Sequence, residues 1–80
     1  AEEQRRLNKE KEAEQRRRTR RRENLENEIS KIEAKIKELE AAICLPENAS
    51  DYQMLADLSR ELEENKLRHD EALEEWMELE

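Results

Sequence analysis

The chain has no glycine and no phenylalanine, and it has one proline, one cysteine, one tyrosine and one tryptophan in 80 residues. Without glycine, neither a P-loop nor a dinucleotide-binding fingerprint can form, because both need backbone that a Cβ would block. So few large side chains leave little with which to line an enclosed active site. One cysteine cannot form an internal disulfide, and Cys44 fits a reducing compartment. His69 is the single histidine and is predicted to lie far from Cys44, which argues against a Cys/His nucleophile and against zinc. No apolar run is long enough for a signal peptide or a membrane span. What is abundant is charge, at 49% of residues, with a mean hydropathy of −1.38. Such a composition excludes most sheets and suits long solvated helices.

The few large apolar residues are not scattered. Leu25, Ile29, Ile32, Ile36, Leu39 and Ile43 are spaced alternately four and three apart. That is a heptad seam, and a helix with one narrow apolar stripe needs a partner stripe. A second seam reads Leu55, Leu58, Leu62, Asn65, His69, Ala72, Trp76 and Leu79. Pro46 lies between them and stops the first helix, since it lacks an amide hydrogen and disfavours helix at Leu45. Ser50 is placed as the cap of the second helix, with Gln53 completing a capping box and Asp51 in the favourable first turn. Folding the chain back at the proline pairs Ile43 with Leu55, Leu39 with Leu58, Ile36 with Leu62, Ile32 with Asn65, Ile29 with His69 and Leu25 with Ala72. The numbers in each pair add to 97 or 98, the constant sum that an antiparallel pairing requires. The predicted fold is therefore all-α: a two-helix antiparallel coiled-coil hairpin over 23–80, with its tip at 44–51. Residues 1–22 are a basic linker or a partly ordered helical extension.

Several positions remain open within that frame. Asn65 in the seam is read as setting register at a cost in stability. His69 is either half-buried or turned outward, with the stems of Leu73 and Lys66 covering the gap. Leu67 and Leu73 lie off the strict stripe, as local broadening or as a face for another domain. Leu45 and Tyr52 are placed over the end of the seam, with a partner contact as the alternative for Tyr52. Trp76 is set opposite Arg21 or Arg22, close enough for a cation–π contact. An intermolecular coiled coil broken at Pro46 is the rival fold. A parallel leucine zipper fits less well, because the basic run lacks a base-reading asparagine and the first seam holds only three heptads before the proline.

Charge is divided along the chain. Residues 1–22 carry ten Lys/Arg and five Asp/Glu, whereas residues 23–80 carry six and eighteen. Arg16, Arg17, Arg18, Arg20, Arg21 and Arg22 fill six of seven consecutive positions. On a helix they cover most of the circumference and repel one another unless anions are close. Glu10, Glu12 and Glu14 offer partial relief through partners such as Arg16 and Arg18. Phosphate or carboxylate groups suit the guanidinium fork, although no aromatic stacking platform accompanies the run.

The pattern Leu25, Ile29, Ile32, Ile36-Lys37-Glu38-Leu39-Glu40, then Leu45-Pro46-Glu47-Asn48, Ser50-Asp51-Tyr52, Leu55, Leu58 and Leu62, closing on Glu74-Glu75-Trp76-Met77-Glu78-Leu79-Glu80, resembles the C-terminal coiled-coil domain of bacterial ABC-F ATPases over about 12–80. The resemblance implies a module of a larger protein with two ATP-binding cassettes, to which ATP and magnesium would belong. This chain itself carries no ATP-site residue and no cofactor. It further implies action on the ribosome or, in the Uup-like branch, DNA binding, with Arg16–Arg22 as the basic segment leading into the hairpin. The expectation is a non-catalytic, cytoplasmic, monomeric accessory module that contacts DNA or ribosomal RNA. The alternative is a structural spacer or protein-docking arm.

Overall fold

In the computed structural model, residues 1–79 are described. Two helices make up the fold: α1, Glu2–Cys44, and α2, Tyr52–Glu78, joined through a single 3₁₀ turn at Pro46–Asn48. They pack against each other as a helical hairpin, 73 × 15 × 14 Å in extent. The basic segment and the first arm are one unbroken helix, since nothing from Glu2 to Cys44 is a proline or glycine.

The reversal is made without any left-handed residue among the described positions. Leu45, held extended by the following proline at φ −65° and ψ 128°, turns the chain out of α1. The Asn48 side chain donates 2.8 Å to the Ala42 carbonyl, which satisfies an acceptor at the end of α1. Asp51 rather than Ser50 caps α2: its Oδ1 accepts from the Met54 amide at 3.1 Å. Gln53 reaches forward to Asp57 at 3.3 Å instead of back to the cap, so no capping box forms. The turn has spent Ser50 in reversing direction, and the first residue free to cap comes one later.

Apolar packing is densest at the base, away from the turn. Leu25, Ile29 and Ala72 are buried, and Leu73, Trp76 and Leu79 pack onto them. Leu73 thus broadens the seam, whereas Leu67 remains 61% exposed. Nearer the tip Leu39 is buried, and Ile32, Ile36, Ile43, Leu55, Leu58 and Leu62 are half-buried. Two helices can shield only one strip of each other, which is why so few side chains are fully enclosed. Asn65 is buried, but its Nδ2 donates 2.8 Å to the carbonyl of Glu61 on its own helix. It therefore makes no polar link to α1.

Polar contacts flank the seam on both edges. On one edge Arg21 meets Glu75 at 2.7 Å and Lys35 meets Glu61 at 3.9 Å, two heptads apart on both arms. Halfway between them Glu28 and Arg68 line one shallow groove with Arg21 and Glu75. On the other edge Trp76 Nε1 donates to Glu26 at 3.1 Å, and His69 Nε2 lies 3.2 Å from Glu33, one heptad apart. Trp76 is thus engaged by a carboxylate through its indole N–H, and Arg21 turns to Glu75; no cation–π pair is needed to close the base.

Candidate nucleic-acid interface

The basic run straddles the hairpin base: Arg16 and Arg17 lie past the end of α2, and Arg18 to Arg22 lie beside it. Leu79, at the end of α2, lies in a groove with Lys11, Glu14, Gln15, Arg18, Thr19 and Arg22. Residues 2–17 therefore project beyond the hairpin base by about 24 Å at the helical rise. Followed toward the N-terminus, the seam face of α1 passes from Leu25 to Arg22, Arg18 and Lys11. The stripe becomes polar where its partner helix ends.

The six arginines, equivalent by composition, fall into three groups. Arg16, Arg17 and Arg20 share one outward surface beside Ala13. Arg18 and Arg22, one turn apart, face the groove at Leu79, and Arg22 is half-buried there. Arg21 places both Nε and Nη2 on Glu75 Oε1, at 2.8 and 2.7 Å. Both partners of that pair are nearly half exposed, so its net contribution is small, about 0–1 kcal/mol. Its effect is to aim Arg21 at α2. Among the described residues, Arg21 is the one cation of residues 1–22 that forms an ion pair with a side chain. The intrahelical relief expected from Glu12 to Arg16 and from Glu14 to Arg18 is absent from those ion pairs. Residues 2–17 carry six Lys/Arg and five Glu, so the excess of positive charge is concentrated in the run Arg16–Arg22.

The opposite end of the rod is different in kind. Residues 38–59 contain five Asp/Glu and no Lys or Arg. Tyr52 is 81% exposed there, with Leu45 and Met54 each at 43%, so Leu45 and Tyr52 do not cover the seam. The extended backbone at Leu45 directs the chain away from the helix pair before the proline turn begins. Met54 lies off the heptad stripe, so periodicity alone does not mark it; the lack of cations around it was the available signal. An acidic tip repels phosphate, which leaves the extension as the candidate nucleic-acid surface.

Among the described residues the hairpin assembles no catalytic motif. Cys44 is exposed at the tip, while the His69 ring is engaged with Glu33 well down the arms. Among the described residues no cluster of His, Cys, Asp and Glu could hold a metal ion. No glycine loop exists to cradle nucleotide phosphates, so ATP and magnesium have no fit on these residues. No described helix is long and apolar enough to cross a membrane.

Residues 9–80 match the family described as the ABC transporter C-terminal domain. The chain belongs to that family. No curated protein and no solved structure matches it. The family assignment links this helical domain to proteins that carry ATP-binding cassettes, and the match takes in α1 from residue 9, all of α2 and the whole arginine run.

Proposed function

We propose that the hairpin is an accessory nucleic-acid-contacting module of a cytoplasmic ABC-F ATPase, related to the Uup-like or ribosome-acting branches, and that the arginine extension supplies the contact. One observation carries this reading: Arg16, Arg17 and Arg20 stand together on an outward face of α1, and among the described residues none of them forms an ion pair, although Glu12 and Glu23 share a groove with Arg16 and Arg20. Arginine forks of this kind suit phosphate oxygens, and their number sets affinity more than sequence choice. The family match supports attachment to an ATPase. ATP binding and hydrolysis would then belong to cassettes outside this chain, with the hairpin holding the basic helix at a set distance and angle.

The test is a salt titration of binding to matched DNA and ribosomal RNA fragments, using the chain with and without residues 1–22. Removing those residues should abolish most of the affinity. Charge reversal at Arg16, Arg17 and Arg20 should flatten the slope of log K against log salt by about 0.7–0.9 for each phosphate released from the helix. Reversal at Arg21, already turned to Glu75, should change it least. Equal affinity of the triple reversal and the parent chain for both nucleic acids would remove the proposal. The exposure of Leu67 and Met77, each 61%, favours a second reading as a protein-docking arm, which predicts negligible nucleic-acid binding at physiological salt.

A further inference from the structure

Charge is not spread evenly around the extension. At about 100° per residue, Lys11, Arg18 and Arg22 fall in one row, which lines the groove at Leu79. Arg5, Lys9, Arg16 and Arg20 fall in a second row, about 150° round the helix from the first. Gln15 and Thr19 line the grooves on both sides, with Arg18 and Arg22 in one and with Arg16 and Arg20 in the other. They therefore stand between the rows, and Asn8 and Glu12 continue the same strip toward the N-terminus. All four side chains of the strip are exposed. Thr19 donates its hydroxyl to the Gln15 carbonyl at 3.0 Å, which leaves its methyl group free. Among the described residues no hydrogen bond engages the Gln15 side-chain amide.

Two rows of cations flanking a polar strip fit one form of nucleic acid. The major groove of B-DNA is about 12 Å wide, and a helix with its side chains is about 10–12 Å across. In that groove the strip faces base edges, and each row faces the phosphates of one strand. A helix laid on a single backbone would use one row alone. The major groove of duplex RNA is too narrow and deep for side chains to read. Single strands are held by stacking on aromatic rings, and the lone tyrosine and lone tryptophan lie on α2, not on the extension. Glu12, Glu14 and Glu23 border the two grooves, against seven cations in the rows. α2 ends at Leu79, level with Arg18, so Asn8, Glu12 and Gln15 stand clear of it.

We propose that residues 5–22 enter the major groove of duplex DNA, with Gln15 and Thr19 as the residues that read bases. This rests on the phosphate contact proposed above and adds to it a substrate class and a source of sequence preference. The Gln15 amide suits adenine, which offers N6 and N7 to a pair of hydrogen bonds, and the Thr19 methyl suits the thymine methyl. Glu12 suits the amine of a cytosine. From Asn8 to Thr19 the strip is about 16 Å long, or roughly five base-pair steps. Arg21, turned to Glu75 on the far side of the helix, takes no part.

The test uses the 80-residue chain and a pool of random DNA duplexes at about 0.1 M salt. Selection should return a preferred site of roughly five base pairs that includes an A·T pair. The chain should bind that site roughly tenfold or more tighter than the RNA duplex of the same sequence. Gln15→Ala with Thr19→Ala should lower the preference for the selected site over a scrambled duplex by roughly fivefold or more. Affinity for the scrambled duplex and its salt slope should stay as in the parent chain, since both side chains are exposed and alanine suits a helix. Salt-dependent binding with no base preference would overturn this proposal and leave the phosphate contact standing. So would tighter binding to the RNA duplex, or a double variant that keeps the parent's preference. Absence of binding to every nucleic acid would remove both.

Discussion

Asn65→Leu should make the hairpin more stable. Asn65 is 7% exposed, and its single polar contact is with the carbonyl of Glu61, four residues back on the same helix. Removing the side-chain amide therefore strands no donor or acceptor on α1. The loss is one hydrogen bond, about 0.5–1.5 kcal/mol. The gain is a leucine in the seam, with the same number of side-chain heavy atoms as asparagine, worth about 1.5–3 kcal/mol if fully buried, plus a small improvement in helix propensity. The net expectation is a gain of about 1–2 kcal/mol. For a domain of this size that raises Tm by roughly 5–15 °C. Thermal melts followed by circular dichroism at 222 nm would measure it. They should be repeated at several protein concentrations, because association also moves Tm. A seam asparagine typically trades stability for register and oligomer choice. Here, with no partner across the seam, that trade would act only against wrong pairings. Should Asn65→Leu melt at or below the parent temperature with helical content intact, Asn65 is not the one-sided, energetically costly residue that its hydrogen bonding implies.

Asp51→Ala should cost about 1 kcal/mol in urea unfolding, and Ser50→Ala close to nothing, because Asp51 holds the Met54 amide. Equal effects, or the reverse order, would return the cap to Ser50. Along one edge of the seam Arg21–Glu75 and Lys35–Glu61 are paired, and Glu28 and Arg68, halfway between them, line one groove, so the charges alternate in sign over three successive heptad positions. Sliding either arm by a heptad sets Arg21 against Arg68 and Glu28 against Glu61, or Glu28 against Glu75 and Lys35 against Arg68. Glu28→Arg and Arg68→Glu should each destabilise by about 0.2–1 kcal/mol, and the double variant should recover most of it at low salt. Additive losses in a double-mutant cycle would show that the middle rung carries no coupling.

The hairpin and its charge arrangement have different functional weights. Exposed pairs such as Arg21–Glu75 and Lys35–Glu61 contribute little energy, whereas the buried base around Leu25, Ile29 and Ala72 holds the arms together. That leaves the charged ends free to serve contacts. The rod is basic and apolar-poor at one end, and acidic with an exposed tyrosine at the other. A 73 Å rod with unlike poles can hold two different surfaces apart without any enclosed site.

The hairpin was legible in the sequence because heptad spacing, a lone proline and a constant-sum pairing are properties of the chain order alone. Helix periodicity converts that order into faces without any knowledge of the partner. The arginine run was equally visible, as residue types at consecutive positions. Its division was not: which arginines face outward depends on where α2 ends and how the two helices are rotated about their axes. The same rotation gave Trp76 to Glu26, Arg21 to Glu75 and Asn65 to its own backbone. Geometry at the turn moved the cap from Ser50 to Asp51 and left Tyr52 in water, because an extended Leu45 points the chain outward before it folds back. Local order specified two helices and their seam. Only their packing decided which charges are paired and which remain open to a partner, since pairing depends on distances between residues some fifty positions apart.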